Sequence, residues 1–163
     1  NGNKYTTVFE WIEKTPLGSA SVAQVHKAKL KDGRIVAVKV QRPNIEPRML
    51  GDIANLKAAV KRLREQIPID YYIVFSELEK QLQQEFDFTY EAKCMDSIAD
   101  TLEKDFKGNP LEEDSKVKIP RSIPEYVSRR VLVMEYVEGV ALSNFQNELK
   151  KRGIKATGVE AKV

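Results

Sequence analysis

The chain has 163 residues, of which 42% are hydrophobic and 31% are charged, a composition typical of a globular domain rather than a disordered segment. Its net charge of +3 is too small to indicate a nucleic-acid-binding protein, and no run approaches the ~18 apolar residues of a membrane span. A single cysteine, Cys94, and a single histidine, His26, exclude an internal disulfide framework and two-histidine metal sites. We therefore expect no metal site. Because the first residue is Asn1 rather than Met, we expect a fragment.

The first elements are a lead-in and a small sheet. Residues 1–14 are predicted to form a lead-in helix or a linker, with their apolar side chains on one side. From residue 15 onwards β-branched residues dominate, and Asp32-Gly33 between two such runs is a strong hairpin signal. We therefore predict two paired strands over residues 22–30 and 34–41, which follow a tight turn and are ended by Pro43.

Two helical segments follow the sheet. Apolar residues recur at steps of three and four between Ile45 and Ile67, which predicts an inserted amphipathic helix over 45–67. Its basic outer face is interpreted as a solvated surface, with anionic lipid or nucleic acid as alternative contacts. A long helix is predicted over 74–106. Because its apolar face changes along its length, this helix either kinks near Glu85–Phe88 or packs against different partners at its two ends.

Short strands and a break complete the chain. Val117–Ile119 and Tyr126–Val127 are strand candidates, and Val131–Val137 is predicted to be a buried strand that ends at Glu138-Gly139. A short helix is predicted from residue 141 to residue 152. The order of elements predicts an α+β fold, in which an antiparallel sheet of about five strands carries an inserted helix and a long second helix.

A turn of small residues lies at the start of the sheet. Residues 18–25 match the kinase loop pattern G-x-G-x-x-G-x-V at Gly18 and Val25, and Ala20 and Ala23 replace the other two glycines. A turn that covers phosphates needs small residues, because its backbone N–H groups must approach the oxygens. Alanine resists positive φ, so we expect this loop to be stiffer than a glycine loop. By itself the pattern also fits an ordinary hairpin turn.

A lysine ends the alternating run from Val36 to Lys39. Such a lysine can hold the α- and β-phosphates of a nucleotide, whereas an ordinary strand lysine extends into solvent. Lys39 lies 14 residues after Val25, and the hairpin signal lies between them. Because a hairpin of this length brings the lysine beneath the loop, the spacing favours phosphate binding.

A glutamate, Glu91, lies in an apolar stripe of the second helix, one turn after Asp87. Burial of a carboxylate is costly unless it is paired, so we expect a cationic partner, and Lys39 is the natural one. The periodicity is equally compatible with a partly exposed glutamate on the flank of the helix.

The end of the last strand offers a place for an adenine ring. A strand that runs into a short connector can present backbone N–H and C=O groups to the edge of a base. In this interpretation Met134 lines the pocket, and Glu135 and Val137 supply the backbone groups. The alternative is an ordinary edge strand.

The four features occur in the order and spacing of a protein-kinase small lobe, and the chain resembles the UbiB-type (activator of bc complex) atypical kinase-like family. The resemblance spans about residues 8–150 and is carried by four segments, Pro16–Ala28, Val36–Pro43, Glu85–Ala92 and Arg130–Gly139. It implies a kinase-like small lobe over residues 15–137. Residues 138–163 would then form the hinge and the start of a truncated large lobe.

The resemblance also implies a cofactor and its contacts. ATP or ADP would lie under an alanine-rich loop, and Lys39 would contact its phosphates and form a catalytic pair with Glu91. The other implied nucleotide-binding residues are Gly18, Ser19, Ala20, Ser21, Val25, Ala37, Met134, Glu135 and Val137. Glu85 and Asp87 resemble the family's Glu-x-Asp motif, which faces an upstream Lys-x-Gly-Gln segment.

The family supports the biosynthesis of coenzyme Q and related prenyl lipids at membranes of mitochondria, plastids or bacteria, with weak ATPase activity. The resemblance therefore implies the nucleotide, membranes and prenyl-lipid biosynthesis proteins as partners, and not nucleic acid. The Lys-x-Gly-Gln segment and the large lobe would be intramolecular partners outside these 163 residues.

No asparagine of the chain has an aspartate five residues before it, so the catalytic-loop pattern of phosphoryl transfer is missing from the sequence. We therefore expect the chain to be catalytically incomplete as given, and Mg²⁺ to bind only together with a large lobe. The alternatives are a non-catalytic pseudokinase scaffold and a module that binds anionic membranes.

Overall fold

The computed structural model describes residues 5–63, 70–102, 117–140 and 144–151. The strands are β1 (Phe9–Ile12), β2 (Gly18–Ser19), β3 (Ala23–Leu30), β4 (Ile35–Gln41) and β5 (Val131–Glu135). The helices are α1 (Ile45–Arg62), α2 (Tyr71–Glu85), α3 (Phe88–Leu102) and α4 (Phe145–Lys151). The strands form one antiparallel sheet in the order β1-β3-β4-β5, and β2 pairs with β3. The predicted α+β fold with about five antiparallel strands is confirmed.

The β3–β4 hairpin sets the register of the sheet. Gly33 takes a positive φ of 94° in the connecting turn, which only glycine adopts without strain. The carboxylate of Asp32 accepts a hydrogen bond of 3.0 Å from the backbone N–H of Arg34 and closes the turn. The resulting register places Val25 opposite Lys39, so the hairpin predicted from Asp32-Gly33 is confirmed.

The two faces of the sheet belong to different hydrophobic clusters. One cluster contains the buried residues Phe9, Ala28, Leu30, Val36, Val38, Ile123 and Val133. The other contains Val22, Ala23, Phe86, Phe88, Ala92 and Leu132, and it joins α3 to the sheet. Because successive side chains of a strand point to opposite faces, Ala37 and Lys39 lie on the face that α3 covers.

The helix predicted over 74–106 is interrupted and forms two helices, α2 and α3. Phe86 and Phe88 are fully buried under the sheet, and the backbone cannot turn both inward within one continuous helix. The intervening Asp87 accepts a hydrogen bond of 2.9 Å from the backbone N–H of Thr89, so it caps the new helix. The break lies within the stretch predicted as a kink, and residues 103–106 lie outside the described residues.

The assignment of residues 1–14 to a lead-in helix or linker is wrong for its second half. β1 is an edge strand, and it pairs with β3 so that Phe9 lies opposite Leu30. Only Tyr5–Thr7 form a short 3-10 helix, and residues 1–4 lie outside the described part. The strand forms because burial of Phe9 in the core outweighs the weak local pattern.

Other boundaries also differ from the predictions. The strand candidates around residues 117–119 and 126–127 are not strands, and Pro124–Tyr126 form a short 3-10 helix, because proline has no N–H group for a ladder. The strand predicted over 131–137 ends at Glu135. The inserted helix is described as far as Arg62, and residues 64–67, 141–143 and 152 lie outside the described part.

The helices α1 and α2 form an antiparallel hairpin beside the sheet. The ammonium of Lys57 donates a hydrogen bond of 2.7 Å to Glu79 and lies 5.1 Å from the centre of the Tyr72 ring. The hydrogen bond to Glu79 raises the pKa of Lys57. Among the described helices, none is both long enough and apolar enough to cross a bilayer.

Candidate functional site

The alanine-rich loop is a tight turn between β2 and β3. Gly18 pairs with Val25 across the two strands, and the N–H of Ala20 donates 2.9 Å to the carbonyl of Ala23. A Cβ at Gly18 would meet nothing within 4 Å, so this side of the turn faces open space. Within the described part of the chain, no acceptor contacts the N–H groups of Ser21 and Val22. Free N–H groups in such a turn are the donors that phosphate oxygens accept.

Lys39 lies on β4 opposite Val25, the residue that pairs with Gly18 at the base of this turn. Its Nζ atom donates hydrogen bonds of 2.7 Å to both carboxylate oxygens of Glu91 on α3 and lies 4.7 Å from the centre of the Phe88 ring. The ion pair expected from the sequence is present. The side chains of Lys39 and Glu91 are 21% and 43% exposed, so Glu91 lies on the flank of the helix, as the alternative interpretation had it.

A cleft of about 460 Å³ opens beside this ion pair. Its lining is mostly polar and consists of Lys39, Gln81, Gln84, Glu85, Tyr90, Glu91 and Cys94. A hydrogen bond with Cys94 raises the pKa of Tyr90. The sequence analysis missed the two glutamines, Tyr90 and Cys94. For the two glutamines, the available signal was the helical spacing of Gln81, Gln84 and Glu85, which places them on one face. The prediction of one continuous helix did not show that this face lies beside Glu91.

The two acids of the Glu-x-Asp motif have different surroundings. Glu85 lines the cleft. The carboxylate of Asp87 instead accepts hydrogen bonds from the N–H and the hydroxyl of Thr89, at 2.9 and 2.5 Å. These bonds hold the pKa of Asp87 below its usual value. Asp87 therefore starts α3 and is not among the residues that line the cleft.

The candidate adenine contacts lie at the end of β5. Met134 is opposite Ala37 in the β4–β5 register and packs against the cluster that joins α3 to the sheet. The N–H of Glu135 donates 2.9 Å to the carbonyl of Arg121, so this N–H is not available to a ligand. Val137 follows the strand and is exposed. Among the described residues, no acceptor contacts the N–H of Val137.

A second cleft, of about 410 Å³, lies near the β3–β4 turn. Its charged and aromatic lining comprises Arg34, Lys118, Arg121, Glu125, Glu135 and Tyr136. The acidic and basic groups are mixed, and Arg34 and Arg121 are paired with Asp32 and Asp100. The mixture offers no clear preference for a charged ligand.

The donor set of the site does not fit a metal ion. Both oxygens of Glu91 accept hydrogen bonds from Lys39. Within the ranges that the structure describes, no group of three or more His, Cys, Asp or Glu residues is placed to hold a metal. The site therefore offers an ammonium and backbone N–H groups, which is the chemistry of an anion-binding site.

Comparison with known proteins gives the chain a family. A family model for the ABC1 atypical kinase-like domain matches residues 1–163. AarF domain-containing protein kinase 1 of Xenopus laevis is 39% identical over 142 residues, which are 85% of this chain and 25% of that protein. Probable protein kinase UbiB of Pseudomonas paraeruginosa is 37% identical over 153 residues, or 89% of this chain and 26% of that protein. The chain spans about a quarter of these relatives.

A solved structure has the same fold. The Rv3197–erythromycin complex from Mycobacterium tuberculosis matches with a TM-score of 0.69 and 27% sequence identity. The match covers 93% of this chain and 37% of that chain. The predicted kinase-like small lobe is thereby confirmed as the fold.

Proposed function

This chain belongs to the ABC1 atypical kinase-like family, and on that premise we propose that it is the part of a UbiB-type atypical kinase or ATPase that binds ATP or ADP. The observation that carries the proposal is the Lys39–Glu91 ion pair, which fixes an ammonium beneath a turn with free N–H groups. Fixed cations and preorganised N–H groups are what phosphoryl groups need.

The geometry leaves Lys39 able to bind a phosphate while it stays paired. An ammonium has three N–H donors, and two of them go to the oxygens of Glu91. The third donor remains for a phosphate oxygen on the side of the cleft. Glu91 therefore acts as a positioning group, and Lys39 supplies the contact.

The base would lie on the same face of the sheet. Val25, Ala37 and Met134 come together there through the register of β3, β4 and β5. Their small or flexible apolar side chains suit a flat ring. Of the backbone groups predicted for the adenine edge, the N–H of Val137 and the carbonyl of Glu135 are the ones proposed, since the N–H of Glu135 is used by Arg121.

We also propose that the whole enzyme, of which this chain would be a part, supports the biosynthesis of coenzyme Q or related prenyl lipids. The basis for this proposal is the similarity to relatives named UbiB. The catalytic-loop pattern of phosphoryl transfer does not occur in the 163 residues. We therefore expect nucleotide binding without turnover by these residues alone. Mg²⁺ would bind only together with a large lobe, and the contacts of these residues with the phosphates are the ammonium of Lys39 and the N–H groups of the turn.

The test is a titration of the chain with ATP, ADP and adenosine. We expect the affinity to rise with the number of phosphates. Lys39→Met should weaken ATP binding by roughly 10- to 100-fold, the effect of a lost charged hydrogen bond, and leave adenosine binding unchanged. Lys57→Met is the matched control, because Lys57 is also paired with a glutamate and stacked on a ring.

Two outcomes would count against the proposal. Equal loss of ATP binding in both lysine variants would mean that the effect is a general loss of stability. Absence of ATP binding by the wild-type chain would contradict nucleotide binding and favour a non-catalytic scaffold.

A further inference from the structure

The alanine-rich turn has a second point of attachment, Arg42, at the end of β4. The backbone N–H of Arg42 donates 2.8 Å to the carbonyl of Val22. Its Nε donates 3.1 Å to the carbonyl of Ala20, and its Nη2 donates 2.7 Å to the hydroxyl of Ser19. A single residue thus contacts three of the four residues from Ser19 to Val22.

The backbone of Arg42 is fixed by the residues on either side of it. The preceding Gln41 is buried, and its backbone N–H donates 3.0 Å to the carbonyl of Arg130. The following Pro43 restricts the backbone of Arg42 to extended conformations. The guanidinium therefore projects from a fixed base, and its planar fork holds its donors in a fixed mutual geometry.

The exposed tip of the turn, residues 19–21, has few other restraints. β2 has only two residues, and the Ala20–Ala23 bond closes the turn itself. Ser19, Ala20 and Ser21 are exposed. Val22 and Ala23, by contrast, are buried in the cluster that joins α3 to the sheet. Because an exposed segment with few buried contacts opens at low free-energy cost, the bonds from Arg42 to Ser19 and Ala20 are a large part of what holds the exposed tip of the turn in shape.

The charge of Arg42 also remains available to a ligand. Its side-chain partners are a carbonyl and a hydroxyl, and no carboxylate among the described residues pairs with it. An unneutralised cation behind the turn raises the electrostatic potential at the free N–H groups of Ser21 and Val22 and favours an anion there.

We propose that Arg42 is a positioning residue that holds the alanine-rich turn in the shape in which its N–H groups meet the phosphates of the nucleotide. The inference rests on the proposed nucleotide binding and adds to it a residue that does not line the cleft. It assigns the selectivity for phosphate over the bare nucleoside partly to the turn and its anchor, and not to Lys39 alone.

The experiment compares Arg42→Gln, Arg42→Lys and the control Arg34→Gln in the full 163-residue chain. Arg34 is an exposed arginine at the far end of the same hairpin, where it pairs with Asp32. We expect both Arg42 variants to weaken ATP binding by roughly 3- to 10-fold, as for a misplaced contact group, and to leave adenosine binding unchanged. Lysine keeps the charge but cannot reproduce both side-chain bonds.

Hydrogen exchange of the Ala20 amide provides a readout that needs no ligand. This amide should exchange faster in both Arg42 variants and at the wild-type rate in Arg34→Gln. Unchanged ATP affinity and exchange in Arg42→Gln would overturn the inference. Full ATP affinity in Arg42→Lys would show that charge suffices and would overturn the positioning role. If the wild-type chain binds no ATP, the proposed function and the phosphate part of the inference both fail, and the exchange rates alone decide whether Arg42 restrains the turn.

Discussion

Two lysine–glutamate pairs in this molecule have almost the same local chemistry. Lys39 and Lys57 each donate a 2.7 Å hydrogen bond to a glutamate on another element, and each lies about 5 Å from an aromatic ring. Their side chains are 21% and 20% exposed. The pairs differ in their surroundings, because Lys39 lines an open cleft and lies opposite Val25 in the sheet, whereas Lys57 bridges two helices.

The comparison shows that an ion pair does not identify a functional site. Lys57 donates to one oxygen of Glu79 and lies between two helices. Lys39 donates to both oxygens of Glu91 and lies opposite Val25, which pairs with Gly18 at the base of the alanine-rich turn. The assignment of function therefore rests on the neighbours of the lysine rather than on the lysine itself.

Charge reversal should separate the two lysine–glutamate pairs by the largest effect. The double variant Lys39→Glu/Glu91→Lys retains a salt bridge but places a carboxylate beneath the turn. We expect ATP affinity to fall by at least ~100-fold, because like charges in a confined site cost several kcal/mol. In Lys57→Glu/Glu79→Lys, ATP affinity should stay within about twofold of wild type, since neither residue lines the cleft. Retained ATP binding by the first double variant, measured by calorimetric titration, would show that position 39 does not contact phosphates.

Removal of the carboxylate alone separates positioning from competition. In Glu91→Gln, Lys39 loses its charged partner, and we expect ATP affinity to fall by roughly 3- to 10-fold because the ammonium is no longer fixed. Glu79→Gln serves as the control and should bind ATP like wild type. A tighter complex with Glu91→Gln would mean that the glutamate competes with phosphate for Lys39, contrary to the positioning role.

The turn above Lys39 supplies a smaller effect. Ala20→Gly gives the backbone greater φ freedom, and we expect ATP affinity to change by roughly 2- to 5-fold as the N–H groups meet the phosphates differently. Ala54→Gly on the exposed face of α1 is the control, which should lower stability without a change in nucleotide binding. Identical ATP affinities for wild type and Ala20→Gly would undercut the phosphate-loop assignment.

The Lys57–Glu79 pair should affect the free energy of unfolding and not nucleotide binding, and its effect should be the smallest of those predicted. The pKa of Lys57 is raised by Glu79, so its contribution to stability is fully present below the ordinary lysine pKa of about 10.4 and is lost as the pH rises through the raised value. The urea midpoint of wild type should exceed that of Lys57→Met at pH 9, and this difference should shrink as the pH rises through the raised pKa of Lys57. A difference that stays constant would show that packing on Tyr72 matters more than the charge.

The ion pair was predictable from the sequence because the position of each partner follows from a short local pattern, although the two residues are 52 apart in the chain. The Asp32-Gly33 turn sets the register of β3 and β4, and register then decides which face Lys39 takes. Glu91 required only the helical period and the cost of an unpaired charge. The four features that suggested a kinase-like lobe all lie on strands, turns or helices that such short patterns predict.

Other parts of the molecule depend on contacts between distant segments. The break between α2 and α3 follows from burial of Phe86 and Phe88 under the sheet, whereas both residues also suit a helix in isolation. β1 exists through its pairing with β3. Arg42 has its side-chain partners at Ser19 and Ala20, and no spacing in the sequence relates these residues.

In the proposed complex, the ATP phosphates lie between the alanine-rich turn and Lys39. The most direct measurement is the change in backbone amide chemical shifts when ATP is titrated into the ¹⁵N-labelled chain, with Lys39→Met beside it. We expect the largest changes in residues 18–25, at Lys39 and at Val137, and their loss at the turn in Lys39→Met. Changes centred on the cleft around Arg34, Lys118 and Arg121, or around Lys57, would contradict the claim.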